Sequence, residues 1–172
     1  MRSPPSPELT SAAVPVISER DHAHGDGADA IVYLDLACPA CAAMWPELRA
    51  LPLRLCVRHF PMASKRSRSP VLHAAAEAAA LQRPGAFWDM VDSIYADQGH
   101  QDDPHLWARA EALRLDLRRF EADRRSMVVA ARLRADFMAG IRAGVTGTPS
   151  AFAAGKLLQG ELIPGLASAL AL

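Results

Sequence analysis

Ile31-Val32-Tyr33-Leu34-Asp35-Leu36-Ala37-Cys38-Pro39-Ala40-Cys41 decides how the rest of the chain is read. The apolar run from Ile31 to Leu36 has the length and residue types of a buried strand, and an amphipathic helical pattern starts at Cys41 and runs through Met44/Trp45, Leu48 and Leu51. Between them stands a C-x-x-C pair. Pro39 suits the first helical position because no N–H is needed there, so Cys38 is expected over a helix N-terminus, where free N–H groups and the helix dipole favour a thiolate. Cys41 falls on the apolar face. The spacing therefore predicts Cys38 pointing outward as nucleophile and Cys41 pointing inward as the resolving thiol, with Pro39 and Ala40 as supporting residues.

Two cysteines at this spacing also begin zinc sites, and the chain offers the remaining donors as Cys38-x2-Cys41-x14-Cys56-x2-His59. Cys56 and His59 lie in Leu53-Arg54-Leu55-Cys56-Val57-Arg58-His59-Phe60, a strand pattern, and residues three apart on a strand face opposite sides. A redox turn fits better than a metal knuckle, so no metal is expected. Cys56 reads as a buried thiol filling a core position.

With 172 residues, half of them hydrophobic, the chain is long enough to bury about 70% of its unfolded surface without disulfide staples. Its 19 basic and 19 acidic residues cancel, which argues against nucleic acid or an anionic membrane as a general partner. No apolar run reaches the roughly 18 residues of a membrane span, and the start lacks the basic and apolar regions of a signal peptide. The expected location is thus cytoplasmic, where three cysteines suggest a catalytic or sensing pair rather than a structural framework.

Residues 1–12, rich in Pro and Ser, read as a disordered tail. Val14-Pro15-Val16-Ile17 is expected to form a short edge strand, and Asp21-His22-Ala23-His24-Gly25-Asp26-Gly27 a solvated, turn-rich loop. Lys65-Arg66-Ser67-Arg68 reads as another solvated loop. Helical signals then fill the chain from Val71 to Ala143, with N-caps expected at Asp103 and Asp116. Ser150 to Leu158 reads as a hairpin turning at Gly155-Lys156, and Pro164 to Leu172 as a closing helix. The order predicts an α/β fold with helices on both sheet faces and an all-helical insertion.

Four segments resemble the DsbA-like branch of the thioredoxin superfamily: Asp35-Leu36-Ala37-Cys38-Pro39-Ala40-Cys41, Arg58-His59-Phe60-Pro61, Phe87-Trp88-Asp89-Met90, and Gly144-Val145-Thr146-Gly147-Thr148-Pro149. The lead-in Pro15-Val16 and Glu19-Arg20-Asp21-His22 is similar to that of DsbA-like domains appended to bacterial sodium/proton antiporters. No antiporter spans are present, and a free-standing relative is expected. The resemblance implies a thioredoxin-like domain from residues 13–62 and 144–172, with a helical insertion over 63–143. It implies a cis Thr148-Pro149 bond facing the cysteines, with Thr148 and Pro149 as substrate-binding residues, and Pro46 kinking the helix. Two positions depart from the family pattern. Val32 replaces a buried carboxylate that many relatives use to move the inner thiol's proton, and Asp35, on the opposite strand face, does not obviously replace it. The dipeptide Pro39-Ala40 lacks the histidine of strongly oxidising relatives, which predicts a less acidic Cys38.

The resulting expectation is a thiol-disulfide oxidoreductase acting on protein or peptide thiols and disulfides, or on a low-molecular-weight thiol, without an organic cofactor. Two alternatives stay open at this point. One is a DsbA-fold transferase or isomerase dependent on a small thiol, against which two intact cysteines argue; the other is a non-catalytic redox-sensing binding module.

Overall fold

Both faces of one strand are buried, and the architecture follows from that. In the computed structural model, which describes residues 13–172, strand β2 spans Ala28–Leu34. Ala30, Val32 and Leu34 join one core cluster, whereas Ile31 and Tyr33 join another on the opposite side. A strand that is apolar on both faces belongs in the middle of a sheet. It lies beside β3, Leu53–His59, in parallel register with Val32 opposite Val57 and Leu34 opposite His59. Parallel neighbours need a crossover, and helix α1, Pro39–Ala50, supplies it.

β1, His22–His24, runs antiparallel to β3, while β4, Ser150–Ala153, runs antiparallel to β2 and carries β5, Lys156–Gln159, at the other edge. The sheet order is β1-β3-β2-β4-β5. Between β3 and β4 the chain forms α2 (Ser69–Gln82), α3 (Ala86–Ala96), α4 (Asp103–Ala112), α5 (Leu117–Arg124) and α6 (Met127–Arg142); α7, Leu162–Leu170, closes the fold. The mixed sheet and its helical insertion are the α/β, thioredoxin-like architecture expected.

The larger core joins Val32 and Val57 to Cys41, Trp45 and Leu48 of α1, to the buried alanines of α2 and to Phe87 and Met90 of α3. On the other face Ile31, Tyr33, Cys56, Phe60 and Phe152 pack under Phe137 of α6. Gly140 lets α6 come this close: a Cβ there would stand 2.9 Å from ring carbons of both Tyr33 and Phe60. Helix caps follow side-chain chemistry, with Asp102, Asp116 and Ser126 accepting the N–H groups of His105, Arg119 and Val129. Each such cap stabilises its helix by about 1 kcal/mol.

Several expectations need correction. Val14 to Ile17 forms no strand; the edge strand is instead His22–His24, inside the segment read as a solvated loop. Pro15 offers no N–H to a ladder, whereas His22 and His24 pair with Val57 and Leu55. The cap of α4 is Asp102 rather than Asp103, whose carboxylate binds Arg68 and Arg124 instead. The hairpin turns at Ala154-Gly155, both at positive φ, and the last helix starts at Leu162. The tail expected over residues 1–12 lies outside the described residues. Among those described, no helix is long and apolar enough to cross a membrane.

Candidate active site

Strand β2 ends at Leu34, and the turn Asp35-Leu36-Ala37 delivers Cys38 to the N-cap of α1 in extended conformation, with Pro39 first in the helix. Asp35 organises this turn. Its carbonyl accepts the Cys38 N–H at 2.9 Å and the Tyr95 hydroxyl at 3.2 Å. Its fully buried carboxylate accepts the Ala37 N–H, the Ser69 hydroxyl, the Met62 N–H and Arg66. Burial alone would favour the neutral acid, but the donors and positive charge around the carboxylate outweigh it and hold Asp35 at about 2. It stays ionised, so it is an anchor and not a proton carrier.

The cysteines lie together as free thiols. Cys38 Sγ is 3.8 Å from the carbonyl oxygen of Thr148, and the Thr148-Pro149 bond is cis. The Cys38 thiol is drawn down to about 5 by a hydrogen bond from the Cys41 thiol; burial opposes this, and the Cys41 N–H, the Thr148 side chain and the Arg66 charge reinforce it. Cys41 moves the opposite way, well above the ordinary thiol range, because it donates to Cys38 and is buried. The missing histidine in Pro39-Ala40 thus does not leave Cys38 an ordinary thiol. One expectation fails: Cys38 does not project into solvent but is only 2% exposed. The loop carrying Thr148 and Pro149 lies over it, leaving Pro39 and Ala40 as the exposed residues of the motif.

Other residues near the pair escaped sequence reading. Arg66, read as part of a solvated loop, binds Asp35 3.2 Å away and lies close enough to Cys38 for its charge to act there. Ser69, His73 and Tyr95 lie 34 to 60 residues beyond the turn in sequence, and only the fold brings them to it. Val32 sits in the core cluster that holds Cys41, with no carboxylate in its place. Cys56 and His59 point to opposite faces, Cys56 among Tyr33 and Phe60, His59 towards His73 and Glu77. Among the described residues, the donors near enough to share a metal ion are His22, His59 and Glu77, with no cysteine among them. Their atoms bond one another.

A dithiol at the start of the helix that follows the central strand, faced by a cis-proline loop, defines a thioredoxin-like protein. The chain belongs to the DSBA-like thioredoxin domain family, whose model matches residues 57–171. It is 36% identical over 156 residues to the Na(+)/H(+) antiporter NhaA of Herminiimonas arsenicoxydans, covering 86% of this chain and 24% of that protein. It is 37% identical over 158 residues to NhaA 3 of Salinispora tropica, with the same coverage. The chain spans about a quarter of the length of these relatives. Its fold matches the thiol-disulfide exchange protein alpha-DsbA2 of Wolbachia pipientis at a TM-score of 0.74 and 16% identity, over 85% of each chain. BdbD of Bacillus subtilis in its oxidised form gives the same TM-score and identity over 94% of this chain and 98% of its own.

Proposed function

We propose that this protein exchanges disulfides through Cys38 and Cys41, with residues 13–62 and 144–172 forming the exchange module and 63–143 its helical insertion. The observation that carries this reading is the placement of Cys38. Its sulfur lies at a helix N-cap, against the Thr148 carbonyl, and is stabilised as a thiolate by Cys41.

In the reducing direction the Cys38 thiolate attacks one sulfur of a substrate disulfide. A mixed disulfide forms, and the other substrate sulfur leaves as a thiolate. Cys41 then loses its proton to the substrate thiolate just released, and its sulfur attacks Cys38 Sγ, forming the Cys38–Cys41 disulfide and releasing the second substrate sulfur as a thiolate. Two electrons pass from the dithiol to the substrate. In the oxidising direction a substrate thiolate attacks Cys38 of the disulfide, Cys41 leaves, and a second substrate thiol resolves the mixed disulfide. The redox poise of the compartment sets the direction.

Substrate is held by backbone rather than by a deep pocket. An extended peptide lies along Thr148, next to Cys38, in the manner of an added strand. Its neighbouring side chains reach an apolar hollow of about 530 Å³ lined by Phe60, Met62, Leu133, Phe137, Ile141 and Thr146. Met62 links hollow and site, its sulfur lying 4.0 Å from the Thr148 hydroxyl.

The test is turnover of a peptide disulfide with dithiothreitol as electron donor. The proposal expects multiple turnovers, abolished by Cys38→Ser. A protein that is oxidised and reduced reversibly but never turns over would instead be a redox-sensing module.

A further inference from the structure

Behind the turn that carries Cys38, three histidines and a glutamate form a continuous hydrogen-bonded chain that the exchange steps do not use. His73 of α2 places Nε2 3.0 Å from the backbone nitrogen of Leu36. Its Nδ1 lies 2.7 Å from Nδ1 of His59, whose Nε2 lies 2.6 Å from Glu77 Oε1. The same oxygen is 2.6 Å from His22 Nε2. His59, His73 and Glu77 are buried, whereas His22 is partly exposed and stacks flat on Phe87 with ring centroids 3.7 Å apart.

The donor at one end sets the direction of every bond. A backbone N–H only donates, so His73 Nε2 must offer a lone pair. Burial pushes His73 down to about 4, which leaves the ring neutral with its proton on Nδ1. His73 Nδ1–H then donates to His59 Nδ1, and the His59 proton sits on Nε2 and donates to Glu77. His22 donates to the same carboxylate oxygen. From Leu36 to Glu77 each donor meets an acceptor. The other His73 tautomer would set two N–H groups against each other at 3.0 Å. A metal on His59 Nε2 would require that tautomer, because His59 would then have to donate from Nδ1. The chain is therefore built for hydrogen bonds and not for a metal ion.

We propose that His73 is a positioning residue for thiol exchange, holding the Leu36 N–H and with it the turn that places Cys38, while His59, Glu77 and His22 keep His73 in the required tautomer. The inference rests on Cys38 being the nucleophile. Leu36 is two residues before Cys38, and its neighbours Asp35 and Ala37 are tied down by the bonds described above. The thiolate depends on where the sulfur lies relative to Cys41 and Thr148. A loosened turn therefore raises the pH at which Cys38 ionises. The charged groups facing the chain are Asp35, 3.6 Å from His73 and paired with Arg66, and Asp136, which accepts the His59 N–H and pairs with Arg132. Asp21, paired with Arg58, adjoins His22 in sequence.

Two measurements on the reduced full chain test this. Nitrogen-15 NMR of the wild type should show His73 protonated at Nδ1 and His59 at Nε2. The rate of Cys38 alkylation against pH should move up by about one pH unit in His73→Leu and Glu77→Leu, the scale expected from losing one hydrogen bond at the turn. His73→Gln and Glu77→Gln keep an acceptor in place and should restore a midpoint near that of the wild type. A wild-type His73 protonated at Nε2, stoichiometric zinc bound by the wild type, or a folded Glu77→Leu with an unmoved midpoint would each overturn the proposal. Should both leucine variants fail to fold, the wild-type tautomers decide it. A wild-type Cys38 that ionises near the ordinary thiol value of about 8.5 is a separate result, and it would end the reading of Cys38 as nucleophile.

Discussion

Cys38 Sγ lies 3.8 Å from the carbonyl oxygen of Thr148, 110 residues further along the chain. The contact joins the two ends of the sheet-forming sequence across the helical insertion. Under the proposed exchange, a disulfide partner reaching Cys38 lies against the Thr148 backbone, so attack geometry and substrate recognition become one arrangement.

The proposed exchange divides roles between the two thiols, and trapping would test the division. Cys41→Ser should accumulate mixed disulfides through Cys38, because the thiol that resolves them is gone. Cys38→Ser should trap few or none, since Cys41 is fully buried and its thiol is held protonated. Non-reducing gels and mass spectrometry of the adducts read this out, and the masses show whether proteins or a small thiol were captured. A small thiol as the only adduct would favour a transferase.

The acidity of Cys38 comes first from the Cys41 thiol and only partly from Arg66. Cys41→Ala should raise the alkylation midpoint by about 1 to 2 units, and Arg66→Gln by a few tenths. A thiol lowered to about 5 gives the reduced folded form stability that is present at high pH and lost as pH falls through 5. Stabilising the reduced form in this way shifts the couple in the oxidising direction, which equilibration against dithiothreitol at pH 7 and at pH 5 reads out.

With Cys38 and Cys41 oxidised to the disulfide, so that neither thiol titrates, acid should destabilise the protein in two stages. Burial lowers His73 from 6.5 to about 4, so the unfolded chain binds a proton there that the folded one refuses. Stability then falls by about 1.4 kcal/mol per pH unit as pH drops from 6.5 towards 4. Asp35 and Asp21, both held at about 2, add a second loss as pH falls from about 4 to 2. Denaturant unfolding at a series of pH values checks this, and His73→Gln should flatten the upper stage alone.

Gly140→Ala should cost about 1 to 3 kcal/mol through overpacking, because the added methyl meets the rings of Tyr33 and Phe60. Phe60→Leu in the same chain should recover part of that loss. Thermal or urea melts of the two variants and their combination give the coupling.

Much of this was legible from residues in order. The C-P-A-C turn, the continuous apolar run from Ile31 and the helical periodicity after Val71 are local signals, and they were enough for the strand, the helix start and the α/β class. Cys56 and His59 were separable by counting along one strand. Contacts made across the chain were not legible. His22 and His24 looked like loop residues because their strand exists only through pairing with β3 and, for His22, through Glu77. Arg66 lay in a basic run whose partner, Asp35, is 31 residues away. The burial of Cys38 depends on the loop at Thr148, and a helix pattern read alone gives only the direction away from its own core face.

The central claim is that Cys38 and Cys41 form one reversible redox couple. Equilibrating the protein in graded dithiothreitol ratios, alkylating, and mapping the modified cysteines by mass spectrometry tests it most directly. The account predicts a single two-electron transition in which Cys38 and Cys41 lose reactivity together as an intramolecular disulfide while Cys56 stays a free thiol. Oxidation that pairs Cys56 with either residue, or that leaves Cys38 and Cys41 unlinked, would contradict it.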